Sequence, residues 1–279
     1  MTLSVNTNKS ALIALQNLNK TSDELGKAED RISTSLEISS AKDNASIWSI
    51  AQDQRADVSS LNSVKMSLNR AQSISDVAMA AGESVSNLLN QMREKVIAAM
   101  ETSLGSSARR ALNDDFQGLL SQLGQVVENA SFDGSNILDA SLSQSLRFLA
   151  DADAVLAITL TLQDLTVGGA NVQIPPASDI LTSSNAAAAL TLLDASIQST
   201  NGAISTVGSQ AKRIEAHLTF IGKLSDTLEA GVGNLVDADM AKESAKLQAL
   251  QVQQQLGVQA LSIANSAPQV ILSLFQGQG

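Results

Sequence analysis

Apolar residues recur along this chain at steps of three and four. Val58, Leu61, Val64, Leu68, Ala71, Ile74, Ala78, Ala81, Val85, Leu88, Met92, Val96 and Ala99 make an unbroken stripe of this kind. That spacing belongs to a helix with one buried face, close to a coiled-coil seam. The pattern reaches back to about Ser46 and forward to about Glu101. Such a helix would be about 84 Å long at 1.5 Å per residue, against a radius of gyration of roughly 19 Å for a compact chain of this size. A rod is therefore expected instead of a sphere. A second seam runs through Ile204, Val207, Ala211, Ile214, Leu218, Ile221, Ser225, Leu228, Val232 and Leu235, and a shorter helix fits Ala108, Leu112, Phe116, Leu119, Leu123, Val126 and Ala130. Two seams of similar register, far apart in sequence, predict antiparallel packing of the two halves.

The ends are thinner. Ala11 to Leu36 carries Leu15, Leu18, Leu25, Ile32 and Leu36 on one face; Met240 to Phe275 carries Leu247, Leu250, Leu261, Ile271 and Leu274, diluted by Gln and Ser. Isolated helices of this kind are marginal without packing partners. They need each other or neighbouring molecules. Stripes left open at both ends favour association, and head-to-tail association that does not close makes a filament. The middle is the non-helical part. Phe132-Asp-Gly-Ser-Asn136 reads as a turn, Leu156 to Leu162 alternates with period two as a strand does, Gly168-Gly169 marks a second turn, and Asn185 after Pro175-Pro176 is the predicted N-cap of the following helix. The fold class is thus mainly α, an antiparallel long-helix rod with a small β excursion.

Composition narrows the chemistry. Of 279 residues only 16% are charged and 2% aromatic, with no Cys and no Tyr. The net charge of −10 disfavours nucleic acid as a partner, and Arg109-Arg110 is only a pair. The absence of Cys excludes disulfides and thiolate chemistry, and no apolar run is long enough for membrane insertion. No basic, apolar leader is seen at the N-terminus, so a chain of the cell exterior would leave by another route than a cleavable signal peptide. The one histidine, His217, lies on the rim of a seam and is expected as a plain helix-surface residue. Asp151 with Asp153, and Asp237 with Asp239, are acidic pairs too sparse for a calcium loop and read better as turn or helix-start carboxylates. Gly231 and Gly233 fall inside a seam with no strand before them, which removes a nucleotide reading. No catalytic, cofactor or metal site is predicted.

Several stretches resemble bacterial flagellins. Val5-Asn-Thr-Asn8, Ala14-Leu-Gln-Asn-Leu18, Arg31-Ile-Ser-Thr-Ser-Leu36 with Ser40-Ala-Lys-Asp-Asn-Ala45, Phe132-Asp-Gly-Ser-Asn-Ile-Leu138, Asn234-Leu-Val-Asp-Ala-Asp-Met-Ala-Lys-Glu243 and Gln255-Leu-Gly-Val-Gln-Ala-Leu261 through Phe275 occur in that family's order. The C-terminal half is most similar to alphaproteobacterial members, and the middle is too short for the family's outer variable domains. The resemblance implies a subunit that polymerises into the flagellar filament, alone or with other flagellins. It implies an inner core domain of paired termini, residues 1–40 with 236–279, and an outer helical domain, residues 41–235, holding the β excursion at about 138–185. Implied partners are the hook–filament junction and filament cap proteins and the flagellar export apparatus with its chaperone. A hook–filament junction protein of the same superfamily, or a non-flagellar coiled-coil scaffold, are the alternatives. On this reading Leu15, Leu18, Leu25, Leu247, Leu250, Leu261 and Leu274 bury between subunits. Arg31, Lys42, Asp43, Arg55, Arg213 and Asp239 fall where the family makes inter-layer polar contacts. Ser35 stands where the family has Gly, which would stiffen or reshape that joint, and Lys212 stands for Asn. The stretch contacted by the animal innate receptor falls on Gln91, Lys95 and Asp115. Strong binders carry Arg and Leu at the first two, so recognition should be weak.

Overall fold

The computed structural model describes residues 7–276, with side chains described through residue 266. Five helices and two strands are present among them: α1 (Lys9–Thr34), α2 (Ala45–Ala99), α3 (Ser106–Glu128), β1 (Leu146–Leu149), β2 (Ala157–Leu160), α4 (Ser183–Val236) and α5 (Met240–Gln276). The chain divides into two compact units. One holds the residues up to Ala56 and from Thr227 onward; the other holds Asp57–Asp226.

In the second unit the α2 stripe is buried almost throughout. Leu61, Leu68, Ala71, Val85, Met92, Val96 and Ala99 are essentially inaccessible, and Val207, Ala211, Ile214 and Ile221 of α4 match them. The predicted antiparallel packing of the long helices is what this unit shows. Gly208 faces Met79 and Gly82 faces Ile204; Ser86 donates to Asn201 at 3.1 Å, and Arg93 pairs with Asp194 at 2.7 Å. Numbers rise on one helix as they fall on the other. At Gly82 a Cβ would lie 2.8 Å from Ile204 Cγ1, so the missing side chain leaves the space that Ile204 fills.

Smaller elements pack around this pair. Arg109 of α3 donates to the Ala99 and Glu101 carbonyls at 3.1 and 2.8 Å, satisfying acceptors left free at the end of α2. The buried face of α3 is Phe116, Leu120, Leu123 and Val127, so Leu120 and Val127 are buried where the sequence pattern has Leu119 and Val126. α4 starts two residues before the predicted cap: Thr182 Oγ1 accepts from Asn185 N at 3.1 Å, making Thr182 the capping side chain. The predicted strand is present as β2, shorter than the alternation, and it pairs antiparallel with β1, which no periodicity announced. The register sets Leu146 opposite Leu160 and Phe148 opposite Ile158, and Phe148, Ile158 and Leu160 are buried. The hairpin is fastened to both long helices. Leu149 N donates to Ser67 Oγ at 3.2 Å, and His217 Nε2 sits 2.6 Å from the Ala150 carbonyl, which requires the proton on Nε2. His217 is thus a half-buried anchor of the hairpin, not a plain surface residue.

After β2, Asp164 organises a loop. Its carboxylate accepts from Thr166 N and Oγ1 and from Ala170 N, while Gly168 adopts φ +80°. Burial pushes its pKa up, but the hydrogen bonds from Thr166 and Ala170 outweigh that and leave it below the ordinary carboxylate value. A depressed folded-state pKa contributes stability above the unfolded value of about 3.9 and loses it as pH falls through the folded value. The melting-temperature gap between the wild type and Asp164→Asn should therefore stay constant from neutral pH to mildly acid and shrink below about pH 4. A gap that widens in acid would contradict this.

Candidate assembly surfaces

In the first unit α1 and α5 lie antiparallel. Asn8 Nδ2 donates to the Ala264 carbonyl at 2.6 Å, Gln254 Nε2 to Ser22 Oγ at 3.3 Å, and Arg31 Nη1 to Glu243 Oε1 at 3.1 Å. Leu18 crosses Gly257, where a Cβ would meet Leu18 Cδ1 at 3.2 Å. Among the described residues of these helices only Thr21, Ala28, Glu243 and Leu250 are buried. A helix pair with so few buried groups is weakly held by its own contacts.

The complement of that thin core is an apolar surface. Leu12, Ile13 and Leu15 on α1, and Val252, Leu256, Val258 and Ile263 on α5, are exposed, Ile263 by 71%. Leu18, Leu25, Leu247 and Leu261 are half-buried. Leu250 is buried within the single chain at 5%. The Leu274 side chain lies outside the described residues. Ile13, Leu18, Leu256 and Gly257 line one groove along the pair. Clustered exposure of this sort marks an interaction surface.

The polar candidates sort by what they touch. Arg31 is half-buried against Glu243, whose side chain is 7% exposed, with Lys246 at 3.9 Å on the same carboxylate. Glu243 was not singled out from sequence; a partner 212 residues away leaves no local pattern. Asp43 accepts from the N–H and hydroxyl groups of Ser40 and Ser39. Those bonds, the Ser40 N–H first, hold its pKa below the ordinary value and tie the α1–α2 loop to itself. Arg55 bonds Gln52 one turn earlier. Lys42 and Arg213 are exposed. Asp239 is the N-cap of α5, accepting from Ala241 N and Lys242 N at 3.0 and 3.1 Å, as a helix-start carboxylate should. In the second unit Lys95 pairs with Asp115 at 2.7 Å, while Gln91 is exposed on α2. Asp151 spends both carboxylate oxygens on Leu156 N at 3.1 Å, and no three potential metal ligands cluster among the described residues.

A short joint lies between α1 and α2. Glu37 N and Ala238 N donate to the Val236 and Ser35 carbonyls at 2.7 and 3.0 Å, and Leu36 bridges Asp237. Ile38, Ala51, Val232 and Val236 form its core, with Leu36, Ile47 and Trp48 against them. Ser35 ends α1 at φ +58°, the left-handed conformation that Gly adopts freely. The chain follows the glycine path with a serine, so the joint is strained there.

These features, long antiparallel helices with paired termini and an apolar terminal surface, define a self-associating helical subunit. Family models match two segments, the bacterial flagellin N-terminal helical region over residues 5–143 and its C-terminal helical region over residues 190–275. Flagellin FljJ of Caulobacter vibrioides is 54% identical over 279 residues, spanning 99% of this chain and 100% of that protein. A flagellin of Brucella melitensis is 37% identical over 282 residues, spanning 98% of this chain and 99% of its own. The crystal structure of Bacillus cereus flagellin shares 22% identity at a TM-score of 0.49, covering 56% of this chain and 88% of that one. The chain belongs to the bacterial flagellin family. It is a structural subunit that self-polymerises into the flagellar filament, which lies outside the cell, and the junction-protein and scaffold alternatives give way to it.

Ser35→Gly should raise stability by about 1 kcal/mol, the cost of a side chain in left-handed backbone. Thermal unfolding of the purified chain measures it; an unchanged or lower midpoint would remove the strain argument.

Proposed function

We propose that the exposed apolar surface of the α1–α5 pair is where subunits of this filament touch. The thin core of that pair carries the reading: Leu12, Ile13, Leu15, Val252, Leu256, Val258 and Ile263 are exposed and only four described residues are buried. Covering a side chain such as Leu256 or Ile263 is worth about 1.5–3 kcal/mol, and a polymer repeats that gain at every subunit. Leu15, Leu18, Leu25, Leu247 and Leu261 belong to this surface. Leu250 serves first as the contact inside the pair. On this reading the paired termini belong to the filament interior, and Arg31, Lys42, Asp43, Arg55, Arg213 and Asp239 supply polar contacts within the assembled filament. The chain reaches the cell exterior through the flagellar export apparatus with a chaperone, and meets junction and cap proteins at the filament's two ends. Its function is mechanical and not enzymatic.

Seeded polymerisation tests the surface. Leu256→Asp should keep the monomer's helical circular dichroism and abolish filament growth from short seeds, as followed by light scattering and electron microscopy. Leu250→Asp should instead lose helical signal in the monomer. Filaments of normal length from Leu256→Asp would overturn the proposal.

Gln91 and Lys95 replace the Arg and Leu of well-recognised flagellins, and Lys95 is already engaged by Asp115. Receptor signalling should therefore be weak. A full response in reporter cells at ordinary flagellin doses would contradict this.

A further inference from the structure

The turn after α3 carries chemistry that assembly does not use. Phe132 N donates to the Ser135 carbonyl at 3.0 Å and Ser135 N to the Phe132 carbonyl at 2.9 Å. The two residues between them, Asp133 and Gly134, have φ of +49° and +73°. This is the two-residue turn with both central residues left-handed, for which Asp-Gly is a preferred pair. It remains strained for the non-glycine partner. Asp133–Gly134 is the one Asp-Gly pair in the sequence. Nothing lies within 4 Å of where a Gly134 side chain would be, so no neighbouring side chain crowds the turn on that side. The Asp133 carboxylate is held aside by Arg70 Nη2 at 2.9 Å, in a bond whose side chains are 65% and 50% exposed.

We propose that Asp133–Gly134 is a site of spontaneous aspartate isomerisation, and that the Arg70 ion pair restrains it. In this reaction the Gly134 amide nitrogen attacks Asp133 Cγ. A nitrogen–carbon bond forms, a side-chain carbon–oxygen bond breaks and one water leaves, giving a five-membered imide. Water then adds back. Opening at the main-chain carbonyl carbon leaves the backbone running through the former side chain, as isoaspartate. The composition is unchanged and no oxidant or reductant takes part. Attack requires the carboxyl group to swing onto the Gly134 nitrogen and the Asp133 backbone to leave its turn conformation. The ion pair opposes the first movement and the reciprocal Phe132–Ser135 bonds oppose the second. Because the ion pair is exposed it is weak and opens often, so the restraint is partial. The one Asn-Gly pair, Asn201–Gly202, lies inside α4, where the helical backbone is held away from the reactive conformation.

The product has one more backbone carbon between Phe132 and Ser135, which the two-residue turn geometry does not accommodate. The reciprocal bonds would part, and with them the seat of Asn136, which is 5% exposed. Asn136 donates to the Val127 carbonyl at 2.7 Å and accepts from Leu138 N at 2.9 Å. The lesion would therefore loosen the exit from α3.

The test ages purified full-length chain at neutral pH and physiological temperature, beside Arg70→Gln. Isoaspartate is measured by enzymatic methylation with labelled S-adenosylmethionine and located by electron-transfer fragmentation. Residue 133 should accumulate it in the folded wild type, and Arg70→Gln should do so roughly two- to five-fold faster, the factor an exposed ion pair can supply. In guanidinium chloride the two chains should age at one rate. No isoaspartate at 133 in either folded chain, or equal rates for both folded chains, would overturn the proposal.

Discussion

The antiparallel packing of α2 on α4 within the Asp57–Asp226 unit sets the terms for what is fastened to them. Ile204 of α4 seats against Gly82 and Met79 of α2 against Gly208, with Ala71, Ala78, Ala203 and Ala211 buried as well, so aliphatic side chains of each helix fill gaps left by small residues. That answers the low aromatic content. A core of small and aliphatic residues reaches interior density by seating the one against the other, where a chain rich in Phe and Trp fills space with rings. Once this pair is in place, α3 closes the end of α2 through Arg109, and the hairpin is held by Ser67 on one helix and His217 on the other. The two hairpin fastenings, one on each helix, together presuppose the register of the long pair.

The terminal pair follows a different economy. Arg31 and Glu243 are joined where little else is buried, and one Glu243 oxygen has no hydrogen-bond partner among the described residues. A buried ion pair of this sort contributes little net stability but penalises any sliding of α1 against α5, because a slipped register strands a charge. The apolar contacts of the pair are too few to define a register themselves. Polar contacts at Asn8, Ser22 and Arg31 define the alignment, and the apolar surface remains outside.

Much of this was legible in the sequence, for reasons that differ from element to element. The α2 stripe was readable because burial repeats there over many turns, and thirteen positions averaged out local ambiguity. The seam of α3 is short, and Leu119-Leu120 and Val126-Val127 offer two faces; packing against the 163–176 loop chose the second of each. β1 left no trace, since Leu-Arg-Phe-Leu alternates no more clearly than a helical turn and is a strand only because β2 pairs with it. The α4 cap moved to Thr182 because several residues there can cap and the chain's approach decides which does. The thin character of the termini was visible in their dilution by Gln and Ser. The pairing of Arg31 with Glu243 was not, because no periodicity links positions so far apart. Asp43 and Asp239 were visible as polar residues at a joint, while their local bonds, one around a loop and one on a helix end, depend on backbone geometry that composition does not carry.

The joint also makes the protein its own optical instrument. Trp48, the single tryptophan in a chain without tyrosine, packs against the cluster of Ile38, Ala51, Val232 and Val236. Half-buried there, it is the sole source of long-wavelength emission, since the five phenylalanines absorb at shorter wavelength, and its colour follows how far that joint shields it from water. A flagellar subunit of this kind therefore carries one intrinsic lamp, placed where the chain turns from its first helix into its second and returns from its fourth into its fifth.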